Sequence, residues 1–193
     1  MKNMKSCEWP TGDELMLKYH DEEWGVPLHD DRKLFEFIIL DAFQAGLSWK
    51  TILHKRKNFE KAFDNFDYNK IAKYKEAKIN KLLNDAGIIR NKLKIHATIN
   101  NAKAFLKVQK EFGSFDKYIW QFTGGKPIIN KHQLLKDIQA KSKESDEMSK
   151  DLIKRGFKFA GSTICYAFMQ AAGMVNDHIV SCHRYKEVKK LRS

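Results

Sequence analysis

Helix breakers are scarce in this chain, and they stand where helices should end. Three prolines and ten glycines interrupt 193 residues. Proline and interior glycine penalise a helix most, so their scarcity leaves long stretches free to be helical. Apolar residues recur at spacings of three and four, the period of one helical face. No segment shows the strict alternation of a half-buried strand. The chain reads as an all-α fold, in one domain over 1–193.

The pattern resolves into segments. Thr11 or Asp13 caps a first helix over 11–23, which ends at Gly25-Val26-Pro27. Asp30 or Asp31 caps a second, with Leu34, Phe37, Ile38 and Ala45 at helical spacing and Gly46 as its stop. Ser48 caps a third, lined by Ile52, Phe59, Ala62 and Phe63. Asp67 starts another, and 75–85 forms the next. After a break at 85–90, a long helix runs over 91–112 to Gly113, and a short one over 114–122 precedes Gly124-Gly125. The stretch 126–144 is weakly patterned and reads mostly as loop. Helices over 145–155 and 162–172 complete the chain, closed by Gly156 and Gly173.

Hydrophobic residues make up 42% of the chain, enough for a core. Lys and Arg number 36 against 24 Asp and Glu, a net charge of +12. That excess suits a polyanion, because basic side chains displace counterions from phosphates. It equally fits a soluble protein that is simply rich in lysine. Residues 1–10 carry no apolar signal core, and no apolar run approaches the ~20 residues of a membrane span. Cys7, Cys165 and Cys182 are too few and scattered for a disulfide framework. The expectation is a cytoplasmic protein with no membrane association, its cysteines either core residues or metal ligands.

Cys7, His20, His178 and Cys182 have the donor types of a closed tetrahedral zinc site. His178 and Cys182 lie four apart, within reach of one helical turn, and Cys7 and His20 lie thirteen apart. A zinc between the pairs would staple the two ends of the chain together. Taken singly, each is more often an ordinary buried cysteine or solvated histidine. His183 and His29 are spare candidates, and neither pair has the short spacing of a zinc finger.

Asp41 lies seven after Leu34, four after Phe37 and three after Ile38, so it falls on the inward face of its helix. A buried carboxylate is costly unless paired. Either it caps amides or meets a basic side chain, or it lines a ligand pocket. Trp9, Tyr19, Trp24 and Trp49 gather in the same part of the sequence. Such rings commonly just fill core. With a carboxylate among them they also suit a flat cationic ring. The break at 85–90, followed by Arg90, Lys92 and Lys94, can offer amides and positive charge to a phosphate, though many helix turns look similar.

At these residues the sequence resembles the 3-methyladenine DNA glycosylase I family. The matching stretches are Tyr19-His20-Asp21-Glu22-Glu23-Trp24-Gly25-Val26-Pro27, Gln44-Ala45-Gly46-Leu47-Ser48-Trp49, Asp85-Ala86-Gly87-Ile88-Ile89-Arg90, Arg155-Gly156-Phe157-Lys158-Phe159, Thr163-Ile164-Cys165-Tyr166, Phe168-Met169-Gln170-Ala171 and Val175-Asn176-Asp177-His178. They occur in order along nearly the whole chain.

The resemblance implies a helix-hairpin-helix fold, with the hairpin near 82–100 and a zinc cap formed from 1–24 and 174–184. It places Cys7, His20, His178 and Cys182 at the ligand positions of one structural Zn²⁺. It assigns base binding to Trp9, Tyr19, Asp41 and Trp49, with Asp41 acting in catalysis. DNA contact falls to Gly46 and Leu47 on a loop that presses into the duplex, and to Gly87, Arg90 and Lys92 of the hairpin. The implied partner is double-stranded DNA carrying alkylated bases, the product free 3-methyladenine, and the working form a monomer. Two positions depart from the pattern. The family usually has glutamate where this chain has Asp41, and often tyrosine where it has Met16. Aspartate is shorter by one carbon, about 1.5 Å of reach, so its contact with the base needs a shifted base, a moved helix or a bridging water. A lesion-binding protein of the same fold with weak or no excision, and a basic zinc module without enzymatic activity, are the competing readings. An open aromatic cleft with Asp41 at its floor would favour the enzyme.

Overall fold

The computed structural model describes residues 6–191. Positions 1–5 of the expected zinc cap lie outside the described residues. Among those described, ten α-helices dominate, as the spacing predicts. They are α1 (Glu14–Glu22), α2 (Asp31–Gln44), α3 (Trp49–Ala62), α4 (Tyr68–Ile71), α5 (Glu76–Leu83), α6 (Lys92–Phe112), α7 (Phe115–Trp120), α8 (Lys143–Lys154), α9 (Ser162–Ala171) and α10 (His183–Lys190).

Their starts are written in short polar side chains. Asp13 accepts from the Met16 amide at 3.0 Å, Asp30 from Lys33 at 2.8 Å, Ser48 from Thr51 at 3.2 Å and Asn91 from Lys94 at 3.1 Å. Each satisfies an amide that the helix leaves unpaired. Of the two caps proposed for the first helix, Asp13 is the one used.

Helix α2 is the hub. It packs against α3, α6, α7 and α9, and its buried set is Leu34, Phe35, Glu36, Phe37, Ile39, Leu40, Asp41, Ala42 and Phe43. Fully burying one such large apolar side chain contributes about 1.5–3 kcal/mol. A helix covered on several sides needs partners for its polar groups, and Glu36 has them. Arg56 of α3 donates to Glu36 at 2.6 Å and, at 2.8 Å, to Glu23 just past α1. Lys33 donates to the other Glu36 oxygen at 2.8 Å. Three helices are thereby tied at one point.

Two parts differ from the sequence reading. The stretch 126–144 is mostly loop, as expected, but holds short regular pieces. Ile128–Ile129 (β1) pairs in parallel with Val175–Asn176 (β2), two residues each and too short for any periodicity to show. Helix α8 also begins earlier than 145. Ser142 is its cap, and Ser145 completes a reciprocal capping box. The C-terminal α10 was not expected from the sequence; its buried residues, Tyr185 and Val188, are too few to mark a face.

The ends of the chain meet beside α9. Gly25 donates to the Gln170 carbonyl at 3.0 Å and Leu28 to that of Ala172 at 3.1 Å. The close approach is made at Gly173, where a Cβ would lie 2.2 Å from the Val26 carbonyl carbon. This seam brings α1 to the segment after β2.

Candidate active site and metal centre

Helix α1 carries Tyr19 and His20 side by side on its last turn, facing opposite neighbours. Tyr19 turns to Trp49, with ring centroids 5.1 Å apart, and to Trp9 at 6.4 Å. Trp9 in turn meets Trp24 edge-on at 5.1 Å. These rings wall a cavity of about 380 Å³, completed by Asp41, Gln44, Leu135, Ile138, Ala167 and Gln170. That size suits a purine-sized ligand at the small end of ligand pockets. The expected base-binding set Trp9, Tyr19, Asp41 and Trp49 is therefore assembled in one place.

Asp41 is 2% exposed, and its Oδ2 has no hydrogen-bond partner. No ion pair reaches it among the described residues. Burial pushes its carboxyl well above the ordinary carboxylate value of 3.8. The alternatives in which Asp41 caps amides or meets a basic side chain do not hold. Trp9 and Trp49 also bury their indole Nε1 atoms without partners. A cavity wall with unsatisfied polar atoms of both kinds is built for something polar. No lysine lines it.

Five lining residues were not singled out from sequence: Gln44, Leu135, Ile138, Ala167 and Gln170. Gln44 was within reach, since it stands three after Asp41 on the same helical face. Leu135 and Ile138 come from the stretch read as loop. Gln170 is held through its amide nitrogen, which donates to Asp177 at 2.8 Å. Asp177 also accepts from Tyr166 at 2.8 Å and Asn130 at 2.6 Å.

His20 points the other way, into a closed group with Cys7, His178 and Cys182. One ligand atom from each of the four lies within 4.8 Å of all the others, and all four residues are buried. The separations are 3.1 Å between His20 Nε2 and His178 Nδ1, 3.6 Å from His20 Nε2 to Cys182 Sγ, and 3.7 and 3.8 Å from His178 Nδ1 to the sulfurs of Cys182 and Cys7. Zinc bonds of about 2.3 Å to sulfur and about 2.0 Å to nitrogen place tetrahedral ligand atoms about 3.3–3.8 Å apart.

The outer ring nitrogens are already engaged. His20 Nδ1 lies 2.7 Å from Asp21 Oδ1, and His178 Nε2 lies 3.0 Å from the Trp24 carbonyl. Both outer partners only accept, so in neutral rings the outer nitrogens carry the protons and the inner ones present lone pairs to each other. A bond from Cys7 pulls the Cys182 thiol far below its usual value, and the same bond pushes that of Cys7 up. Two inward lone pairs and two inward sulfurs make a cation site by their chemistry. His183 borders the group through the Asp21 carboxylate at 3.2 Å, and His29 is remote, bonded to Asp116 at 2.8 Å.

The remaining expected residues form two exposed features. Gly46 takes φ +78° in the turn after α2, and Leu47 beside it is 42% exposed. Gly87 stands in the α5–α6 turn, where its amide donates to Asp85 at 2.8 Å and its carbonyl accepts from Asn58 and Lys55 of α3 at 3.3 Å. Arg90 and Lys92 are exposed and make no ion pair among the described residues. Lys94 is a correction. It is 7% exposed and turns inward to the carbonyls of Phe43 and Ala45, so it offers no charge to a phosphate.

A methyladenine glycosylase family profile matches residues 9–185. The chain is 47% identical over 182 residues to DNA-3-methyladenine glycosylase 1 of Escherichia coli, covering 94% of this chain and 97% of that protein. A crystal structure of 3-methyladenine DNA glycosylase I superposes with a TM-score of 0.90 at 48% identity, covering 93% of this chain and 98% of the other. A structure describing 3-methyladenine recognition by the Staphylococcus aureus enzyme also gives 0.90, at 36% identity over 93% and 96% of the two chains.

Proposed function

Since the chain belongs to the methyladenine glycosylase family and acts as a monofunctional DNA glycosylase that excises 3-methyladenine in DNA repair, we propose that the cavity floored by Asp41 is where the flipped base is held and released. The unpartnered Asp41 Oδ2 among Trp9, Tyr19 and Trp49 carries this reading.

Methylation at N3 leaves the base cationic and its glycosidic bond already weakened, so the protein supplies little covalent chemistry. The nucleotide leaves the stack at a cost of a few kcal/mol. Its ring enters between the aromatic walls, and its edge donates to Asp41. Burial raises the Asp41 carboxyl and so favours its neutral form; a cationic ring beside it favours the carboxylate, which then holds positive charge. The bond between C1′ and the base breaks with its electron pair on the base, and water takes the sugar carbon. With no lysine on the cavity wall, no Schiff base forms and the strand is left uncut.

Cys7, His20, His178 and Cys182 would hold one Zn²⁺. With all four donors supplied by the protein, the ion would be structural and would clamp the N- and C-terminal segments together. The turn after α5 and the start of α6 act as a helix-hairpin-helix grip on the duplex backbone through Gly87, Arg90 and Lys92. Gly46 and Leu47 enter the duplex where the base departs. Residues 1–193 form one glycosylase domain, working as a monomer on double-stranded DNA in the bacterial cytoplasm.

Three of the four tryptophans line the cavity, so free 3-methyladenine should quench the protein's fluorescence. Saturable quenching that weakens by about tenfold in Asp41→Asn, a loss of roughly 1.4 kcal/mol, supports the assignment. Unchanged affinity removes Asp41 from the site.

A further inference from the structure

The end of α2 leaves carbonyls without helical partners, as any helix end does. Two of the last, those of Phe43 and Ala45, accept from Lys94 Nζ at 2.8 and 2.6 Å. Lys94 does not belong to α2 or its loop. It stands on the first turn of α6, two positions after the exposed Lys92. Its placement is fixed on its own side. Its amide donates to Asn91 at 3.1 Å and its carbonyl accepts from Thr98 at 2.9 Å. The Phe159 ring lies 6.0 Å from the ammonium.

Burying a lysine is an expensive way to cap a helix, and α2 already has Gly46 at φ +78° just past its end. What a long side chain adds is a link. The carbonyls it grips lie one and three positions before Gly46, while its backbone belongs to the helix that follows the hairpin.

We propose that Lys94 is a positioning residue for excision, fixing the Gly46–Leu47 loop against the hairpin. A duplex gripped by the hairpin then meets Leu47 at a set distance from the Asp41 cavity. This rests on the reading above, in which that loop enters the duplex.

The test uses the full chain and a duplex with one 3-methyladenine and 2-aminopurine opposite it. Single-turnover base release, 2-aminopurine fluorescence on base extrusion and affinity for free 3-methyladenine are measured for wild type, Lys94→Met, Lys94→Arg and Leu47→Ala. Misplacement by about 1 Å costs on the order of a hundredfold in rate. Lys94→Met should slow release by about ten- to a hundredfold and reduce the extrusion signal, while free-base affinity stays within about twofold. Lys94→Arg, which still reaches the carbonyls, should recover most of both. Release and extrusion at wild-type levels in Lys94→Met overturn the proposal. So does free-base affinity falling in step with release, which would mean that Lys94 only holds α2 in place. If Leu47→Ala releases and extrudes like wild type, the loop reading itself fails and the proposal with it. If Leu47→Ala is impaired and Lys94→Met is not, the proposal alone fails.

Discussion

His20 Nε2 and His178 Nδ1 face each other at 3.1 Å, although 158 residues separate them in the chain. With their outer nitrogens committed to Asp21 and to the Trp24 carbonyl, the inner pair repel unless a cation lies between them. A metal ion held there would therefore contribute to the stability of the seam between the N- and C-terminal segments. Cys182→Ser should lower metal content below one ion per chain and cost several kcal/mol. At about 2–4 °C per kcal/mol, the melting temperature should fall by about 10 °C or more. Elemental analysis and thermal melting check this. A full metal complement with unchanged melting contradicts the ligand set.

Asp41 makes stability depend on pH in a definite direction. Burial raises its folded-state value above the ordinary 3.8, so the folded protein keeps this proton over a range where the unfolded chain has lost it. Across that window the native state binds more protons, and stability falls as pH rises. Asparagine has no such proton. Melting of wild type and Asp41→Asn, compared from about pH 4 to about pH 7, should show the variant gaining on wild type as pH rises. A constant difference means the carboxyl is not desolvated as the structure has it.

Gly173 takes φ +66° directly beneath the Val26 and Pro27 backbone. Both faults of an added methyl apply there: the left-handed backbone disfavours a side chain, and the rigid neighbour cannot move aside. Gly173→Ala should cost about 3 kcal/mol or more. Gly125→Ala, at φ +77° with nothing within 4 Å of the added atom, should cost about 1 kcal/mol from the backbone alone. Chemical denaturation of the two variants compares them. Equal losses would mean that the seam tolerates a methyl.

Arg56 sets the polar join of α1, α2 and α3. Arg56→Met strands the Glu36 carboxylate, 2% exposed, with Lys33 as its remaining partner. The expected loss is about 3–5 kcal/mol, and adding Glu36→Gln should recover part of it. Urea unfolding of the single and double variants reads the coupling. Purely additive losses would show that the pair does not act together.

Most of the helices were readable because their starts carry a capping side chain, as Asp30, Ser48, Asn91 and Ser114 do. Asp41 was readable because a carboxylate on an apolar face breaks the period. Lys94 was misread because burial of an ammonium depends on where another helix ends, which no local pattern encodes. Gln170 of α9 is fixed by Asp177 just past β2, and Leu135 and Ile138 reach the cavity from an irregular segment with no period at all. Such long-range placements were legible only in the fold. Cys7, His20, His178 and Cys182 were four scattered residues in the sequence, and only the seam brings their ligand atoms within 4.8 Å of one another.

Asp41, one carbon shorter than the glutamate that the resemblance leads one to expect, is the residue proposed to serve excision. Its role is decided by incubating alkylated duplex DNA with the wild-type protein and with Asp41→Asn, and separating and counting the released bases. Free 3-methyladenine should be released well above the spontaneous rate, with the strand uncut, and release should be sharply reduced in Asp41→Asn. Release no faster than in protein-free DNA, or equal release by wild type and Asp41→Asn, would contradict that role.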